Sequence, residues 1–229
     1  MKILALDTSG PTAGAAVWSD GEILSEIFLN SGLTHSQTIM PACEEVLEKA
    51  GLRVADIDLY ACVVGPGSFT GVRIGACAVR GMAHAAGKPC AAVDALQAIA
   101  FGMRGFGGTV CPMLDARRDQ VYAAAFARGE ERLSDDAAIS LNEFLDTLPG
   151  EGTLLFAGEA APLHRDELRA RFGERAQIAP SFALHVRPAV AAELAARMPR
   201  EMYVSPEGLL PLYLRAPSAE RARNGENIR

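Results

Sequence analysis

The chain opens on KILALD, an apolar run closed by an aspartate, and passes through the turn-forming stretch DTSGPT into two further apolar segments, AGAAVWS and EILSEIFLN, which flank Asp20-Gly21. Asp-Gly between two such segments is a strong hairpin signal, because both residues tolerate the positive φ angles of a tight type I′ turn. The pattern predicts three antiparallel strands. The periodicity then becomes helical: Ile39, Met40, Cys43, Val46, Leu47 and Ala50 follow a Thr34/Gln37 capping pattern, with Pro41 early in the helix and Gly51 at its stop. LYACVV reads as a buried strand, residues 71–86 as a helix ended by Gly87 and Pro89, CAAVD as a strand and DALQAIAFGM as a helix. The predicted order is βββαβαβα.

After the glycine cluster at 105–108 the same order restarts. VCPMLDA is a strand ending in an aspartate, QVYAAAFA pairs with it across RRD, and AISL makes a third strand. NEFLDTL, TLLFAG, APLHRDELRARF, AQIA and RPAVAAELAARM then alternate as helix, strand, helix, strand and helix. LALD and PMLD hold matching places, so Asp7 and Asp115 are equivalent in an internal duplication. Two βββαβαβα lobes form the α/β architecture of actin-like (ASKHA, ribonuclease H-like) and sugar-kinase-like ATPases. The expected division is 1–105 and 106–199, with 200–216 packing back on the first lobe and 217–229 a polar tail.

Composition narrows the class. With 229 residues and 49% hydrophobic side chains the chain can bury a substantial core, and its net charge of −6 argues against avid, independent binding to nucleic acid. Five scattered cysteines without a C-x-x-C pair suggest buried thiols in a reducing compartment. Without a signal-like or bilayer-spanning segment, the expected location is cytoplasmic, with no membrane contact.

The stretch VVGPGSFTGVRIG, residues 63–75, has the outline of a phosphate cradle: a strand, a loop with glycines, then a helix start. It matches neither named fingerprint. Val72 and Arg73 follow Gly71 where a Walker loop needs lysine and then Ser or Thr, and Thr70 stands where a dinucleotide loop needs glycine. Two readings stay open: a tight turn with Ser68 or Thr70 as N-cap, or a vestigial or shared nucleotide site formed by Asp7, Thr8, Ser9, Gly65, Gly67, Ser68, Asp115 and Gly158. The four histidines include no pair spaced for a metal on a helix. The helix after the loop is apolar on more of its circumference than packing on one sheet requires. Its Gly71, Ile74, Gly75, Ala78, Met82 and Ala85, with Ile39, Met40, Cys43, Val46 and Leu47, are the candidate partner interface. Burial by the chain's own second lobe is the competing reading.

ILALDTS (3–9), HSQTIMP (35–41), VVGPGSFTGVRIG (63–75), DARRDQVYAA (115–124) and PLYLR (211–215) together resemble the bacterial TsaB family, formerly YeaZ, along nearly the whole chain. The resemblance implies an actin-like fold and a non-catalytic partner that activates the paralogous TsaD. That complex forms N6-threonylcarbamoyladenosine at position 37 of tRNAs reading codons that begin with A. It also implies a heterodimer with TsaD, work alongside TsaE, a homodimer when alone, and tRNA contact only through the complex. TsaD proteins carry a metal-binding H-x-x-x-H where this chain has Ala95 and Ile99. No catalytic residue, metal or cofactor is therefore expected of this chain alone, although ATP or ADP at the junction with TsaD stays open. The alternatives are an independent actin-like ATPase or small-molecule kinase built around Asp7 and Asp115, and a metalloprotease.

Overall fold

The structure, a computed structural model, describes residues 1–214. The first sheet contains β1 (Lys2–Asp7), β2 (Ala13–Ser19), β3 (Glu22–Leu29), β4 (Leu59–Gly65) and β5 (Cys90–Asp94) in the order β3-β2-β1-β4-β5. β1, β2 and β3 pair antiparallel, and β4 and β5 add in parallel. Asp20 and Gly21 both have positive φ, as the hairpin signal requires. Successive side chains of β1 point to opposite faces. Leu4 and Leu6 meet α1 (His35–Lys49) and α2 (Phe69–Ala86), whereas Ile3 and Ala5 face the middle of the molecule.

The second sheet repeats the first. β6 (Thr109–Arg117), β7 (Gln120–Ala123), β10 (Ala137–Ser140), β11 (Leu154–Ala157) and β12 (Ala176–Ile178) follow the order β10-β7-β6-β11-β12, the order of their counterparts. α4 (Leu141–Asp146) and α5 (Arg165–Phe172) cover its outer face around Phe144, Phe156 and Leu168. Between the sheets, α3 (Ala95–Gly102) and α6 (Pro188–Arg197) join residues of both lobes in one continuous core.

Three details depart from the sequence pattern. QVYAAAFA is not one strand, because Ala125 turns its N–H to the Ser134 hydroxyl at 3.0 Å and its carbonyl to Leu133 N at 2.8 Å. The chain then forms a small hairpin of β8 (Phe126–Ala127) and β9 (Glu131–Arg132). The helix expected over APLHRDELRARF begins only at Arg165, after a run of turns. α6, assigned to the second lobe, packs against all five strands of the first sheet. Its alanines allow close approach, and Gly14 of β2 leaves room for Pro188, whose Cγ would lie 2.8 Å from an added Cβ. Glu26 of β3 completes the contact by pairing with Arg187 and accepting Ala189 N–H at 3.1 Å, which satisfies one free donor at the start of α6.

After α6 the chain returns to the first lobe. Cys90 and Val204 form an isolated β-bridge, Leu209 is buried beside α2, and Leu212 N–H reaches the Val64 carbonyl at 2.8 Å. The proposed tail at 217–229 and the end of the 200–216 segment lie outside the described residues.

Candidate functional site

Loops at the C-terminal ends of strands from both sheets enclose a cleft of about 880 Å³. Ser9 to Pro11, Pro66 to Thr70, Asp115 to Arg118 and Glu159 line it, with His35 and Tyr213. Open α/β sheets place ligand crevices at this end of their strands.

The two aspartates matched by the duplication have different surroundings. Asp7 is only 2% exposed, and its Oδ1 accepts hydrogen bonds from Ser9 N at 2.9 Å and Ser9 Oγ at 2.6 Å. Burial nevertheless dominates and pushes the Asp7 carboxyl up to about 6; Ser9 and His35 oppose the shift and Glu159 adds to it. Asp115 is exposed, and it closes its own turn by accepting Arg117 N–H at 2.7 Å. The chain therefore retains the two positions but not two similar carboxylates.

The glycine loop faces the first loop rather than open space. A Cβ at Gly67 would lie 2.2 Å from Ser9 O, one at Gly71 2.0 Å from Thr8 O, and one at Gly75 2.5 Å from Thr8 Oγ1. Thr8 Oγ1 donates to Gly71 O at 2.7 Å, and Ser68 N donates to Ser9 O at 2.7 Å. Ser68 is the N-cap, accepting Gly71 N–H at 3.2 Å, so α2 starts at Phe69, two positions before the predicted Gly71. Gly65 and Gly158 close β4 and β11 with φ of +119° and +91°, where an added Cβ would meet Leu212 O and Met113 O. Of the eight candidate nucleotide residues, Ser9, Gly67, Ser68 and Asp115 line the cleft. The other four, Asp7, Thr8, Gly65 and Gly158, are not part of its lining.

The residues of the candidate partner interface divide by burial, and Met40, Cys43, Leu47 and Met82 line an apolar groove. Ile39, Cys43, Val46, Leu47, Gly71, Gly75 and Met82 are buried within this chain. Their stripe on α2 faces the first sheet, and of the eleven residues Met40 and Ala85 are exposed, with Ile74 and Ala78 half-buried. The outward stripe of α2 is rotated from the predicted one: Ile74, Cys77, Ala78, Gly81 and Ala85. Among the described residues, nothing lies within 4 Å of a Cβ added at Gly81. Beside it, an apolar groove of about 690 Å³ is lined by Met40, Pro41, Leu47, Leu52, Val54 and Met82, among others. Sequence reasoning missed Cys77, Gly81, Leu52 and Val54. The i, i+3, i+4, i+7 spacing of the outward stripe was present in the sequence, but an equally apolar stripe on the opposite face concealed its phase. At the cleft end of the helix, Arg73 stacks 3.7 Å above Phe69 and donates to Tyr213 OH at 2.7 Å, a contact between residues too distant in sequence for local pattern to reveal.

Comparison with known proteins agrees with this architecture. The family model described as "TsaD: tRNA N6-adenosine threonylcarbamoyltransferase" matches residues 22–222. The chain is 31% identical over 224 residues to the tRNA threonylcarbamoyladenosine biosynthesis protein TsaB of Bacillus subtilis, covering 96% of each. It superposes on YeaZ from Pseudomonas aeruginosa with a TM-score of 0.78 and 28% identity, covering 93% of this chain and 99% of that one. Component A of (R)-2-hydroxyglutaryl-CoA dehydratase from Acidaminococcus fermentans shares the fold alone, with a TM-score of 0.52 and 12% identity over 86% of this chain and 100% of that one. With its actin-like duplication, and with relatives matched over nearly their whole length, the chain belongs to the TsaB (YeaZ) family.

Proposed function

We propose that this chain takes part in the biosynthesis of N6-threonylcarbamoyladenosine in tRNA as a non-catalytic partner of a TsaD-type transferase. The supporting observation is the outer face of α2: small or apolar residues at helical spacing, open above Gly81 among the described residues, with an apolar groove between Met82 and α1. Small side chains allow a second helix to approach closely, and a contiguous apolar patch of this kind marks an interaction surface. In the absence of the transferase the same face serves a homodimer. Contact with tRNA then comes through the complex, and any ATP or ADP binds where this cleft meets the partner. An independent ATPase is the weaker reading, because the loop glycines pack against Thr8 and Ser9, and Asp7 and Asp115 do not form a similar pair of carboxylates.

The test separates docking from folding. Gly81→Glu introduces bulk and charge on the open face, and exchanging glycine for glutamate inside an exposed helix should raise stability by roughly 0.5–1 kcal/mol. The expected result is a folded protein that no longer co-elutes with its TsaD-type partner and no longer supports tRNA modification. Gly75→Glu is the contrasting variant, since its side chain would run into Thr8 and damage the fold. Undiminished co-elution of Gly81→Glu would remove α2 as the docking face.

A further inference from the structure

The hairpin of β8 and β9 lies across α3, the helix that connects the two sheets. Its turn packs on the C-terminal end of the helix: Gly129 has φ +77°, and a Cβ there would fall 2.3 Å from Ala100 O. At the other end of α3, Asp94 caps the helix by accepting Gln97 N–H at 2.6 Å, and Arg132 of β9 lies 3.5 Å from the same carboxyl oxygen. Arg132 also pairs with Asp136, and its guanidinium rests 4.7 Å above the Phe126 ring. The Asp94 and Asp136 side chains are 15% and 11% exposed and lie within hydrogen-bonding reach of each other. One guanidinium therefore serves two largely buried carboxyls, leaving one negative charge in excess if both are ionised.

Asp94 Oδ2 is buried and has no donor among the described residues. A proton between the two carboxyls would satisfy that oxygen and remove the excess charge. The groups acting on Asp94 are Asp136 and Arg132, both from the second lobe. Other charges brought to α3 by α6 and the hairpin turn, Glu193, Arg197 and Glu130, pair among themselves and with Arg104 at the far end of the helix.

We propose that the β8–β9 hairpin is a strap across the inter-lobe helix, latched by a proton held between Asp94 and Asp136, and that loss of this proton loosens α3 and with it the junction of the lobes. Burial first, and Asp136 second, push the Asp94 carboxyl up to about 8. Because this folded-state value is raised, the native chain holds a proton that the unfolded chain has released. The stabilisation is complete below the ordinary aspartate value, and falls as pH rises until it is lost through about 8.

The experiment compares denaturant unfolding of the full chain with that of Asp94→Asn between about pH 6.5 and about pH 8. The asparagine keeps an acceptor for Gln97 and offers Asp136 a permanent donor. The folding constant of the parent relative to the variant should fall roughly tenfold per pH unit across the lower part of this range. Asp136→Asn leaves Asp94 buried but removes the second carboxyl, so it should move the slope to lower pH, and it provides a second test if the first variant folds poorly. Hydrogen exchange, corrected for its intrinsic pH dependence, should show protection lost with rising pH in 95–102 and 126–132 before β1, in the parent only. Parallel pH profiles for the parent and both variants, or loss of protection spread evenly over the chain, would overturn the proposal.

Discussion

Asp7 and Asp115 occupy matching strand ends, yet one is sealed under the cleft and the other closes an exposed hairpin turn. Asp7 is destabilising where it stands, because burial outweighs two hydrogen bonds from Ser9. A carboxyl raised to about 6 binds more protons in the folded state, so its contribution is fully present below about 4 and is lost as pH rises through about 6. Asp7→Asn keeps an acceptor for Ser9 without the charge. It should therefore flatten the pH dependence of stability between about 4 and 6, and raise stability at pH 7 by roughly 1–3 kcal/mol. Unfolding curves for both proteins at several pH values check this, and an unchanged pH profile would show that Asp7 is not the titrating group. The positions of the two aspartates were legible from the repeated LALD and PMLD motifs. Their different chemistry was not, because it depends on burial in the folded lobe and on charges from His35 and Glu159, which lie far away in sequence.

Element by element, legibility followed the range of the determining interactions. Asp20-Gly21 gave its hairpin because the φ preference is local, and Gly87 ended α2 with the expected left-handed cap. The phase of α2 was lost because two of its faces are apolar, and only the fit of Gly71 and Gly75 against Thr8 decides which turns inward. The β8–β9 hairpin was missed because Ala124 and Ala125 carry no turn signal, and the bend is made by bonds to Ser134 and Leu133. The outward phase of α2 makes a chemical prediction. Cys77 is exposed, whereas Cys43, Cys62, Cys90 and Cys111 are buried, with thiols pushed up by burial. A thiol reagent at neutral pH should label Cys77 alone when the chain is diluted to the monomer, and either self-association at higher concentration or a TsaD-type partner should slow that labelling. Mass spectrometry of the labelled peptides checks both outcomes.

At the scale of the whole molecule, the duplication was legible as an order of elements, but the division of labour between the halves was not. An amphipathic α6 announces a buried face without naming the sheet that covers it. Pro188 against Gly14 and Arg187 against Glu26 make that choice across a long separation in sequence. Residues 1–105 expressed alone should therefore fail to form a stable lobe. They would leave the Ile3, Ala5, Ala61 and Val93 face of the sheet without α6, and are expected to aggregate or bind a hydrophobic dye. Adding a peptide that spans 185–214 should restore solubility, and a monomeric, cooperatively unfolding 1–105 fragment would contradict this account.

The crossing of α6 also sets a timetable for synthesis. The strands of the first sheet leave the ribosome early, but the helix that completes their inner face emerges only after the second sheet has been made. At about 5–20 residues per second, the wait between β5 and α6 is on the order of 5–20 seconds, during which an apolar sheet face stays open to chaperones and to neighbouring nascent chains.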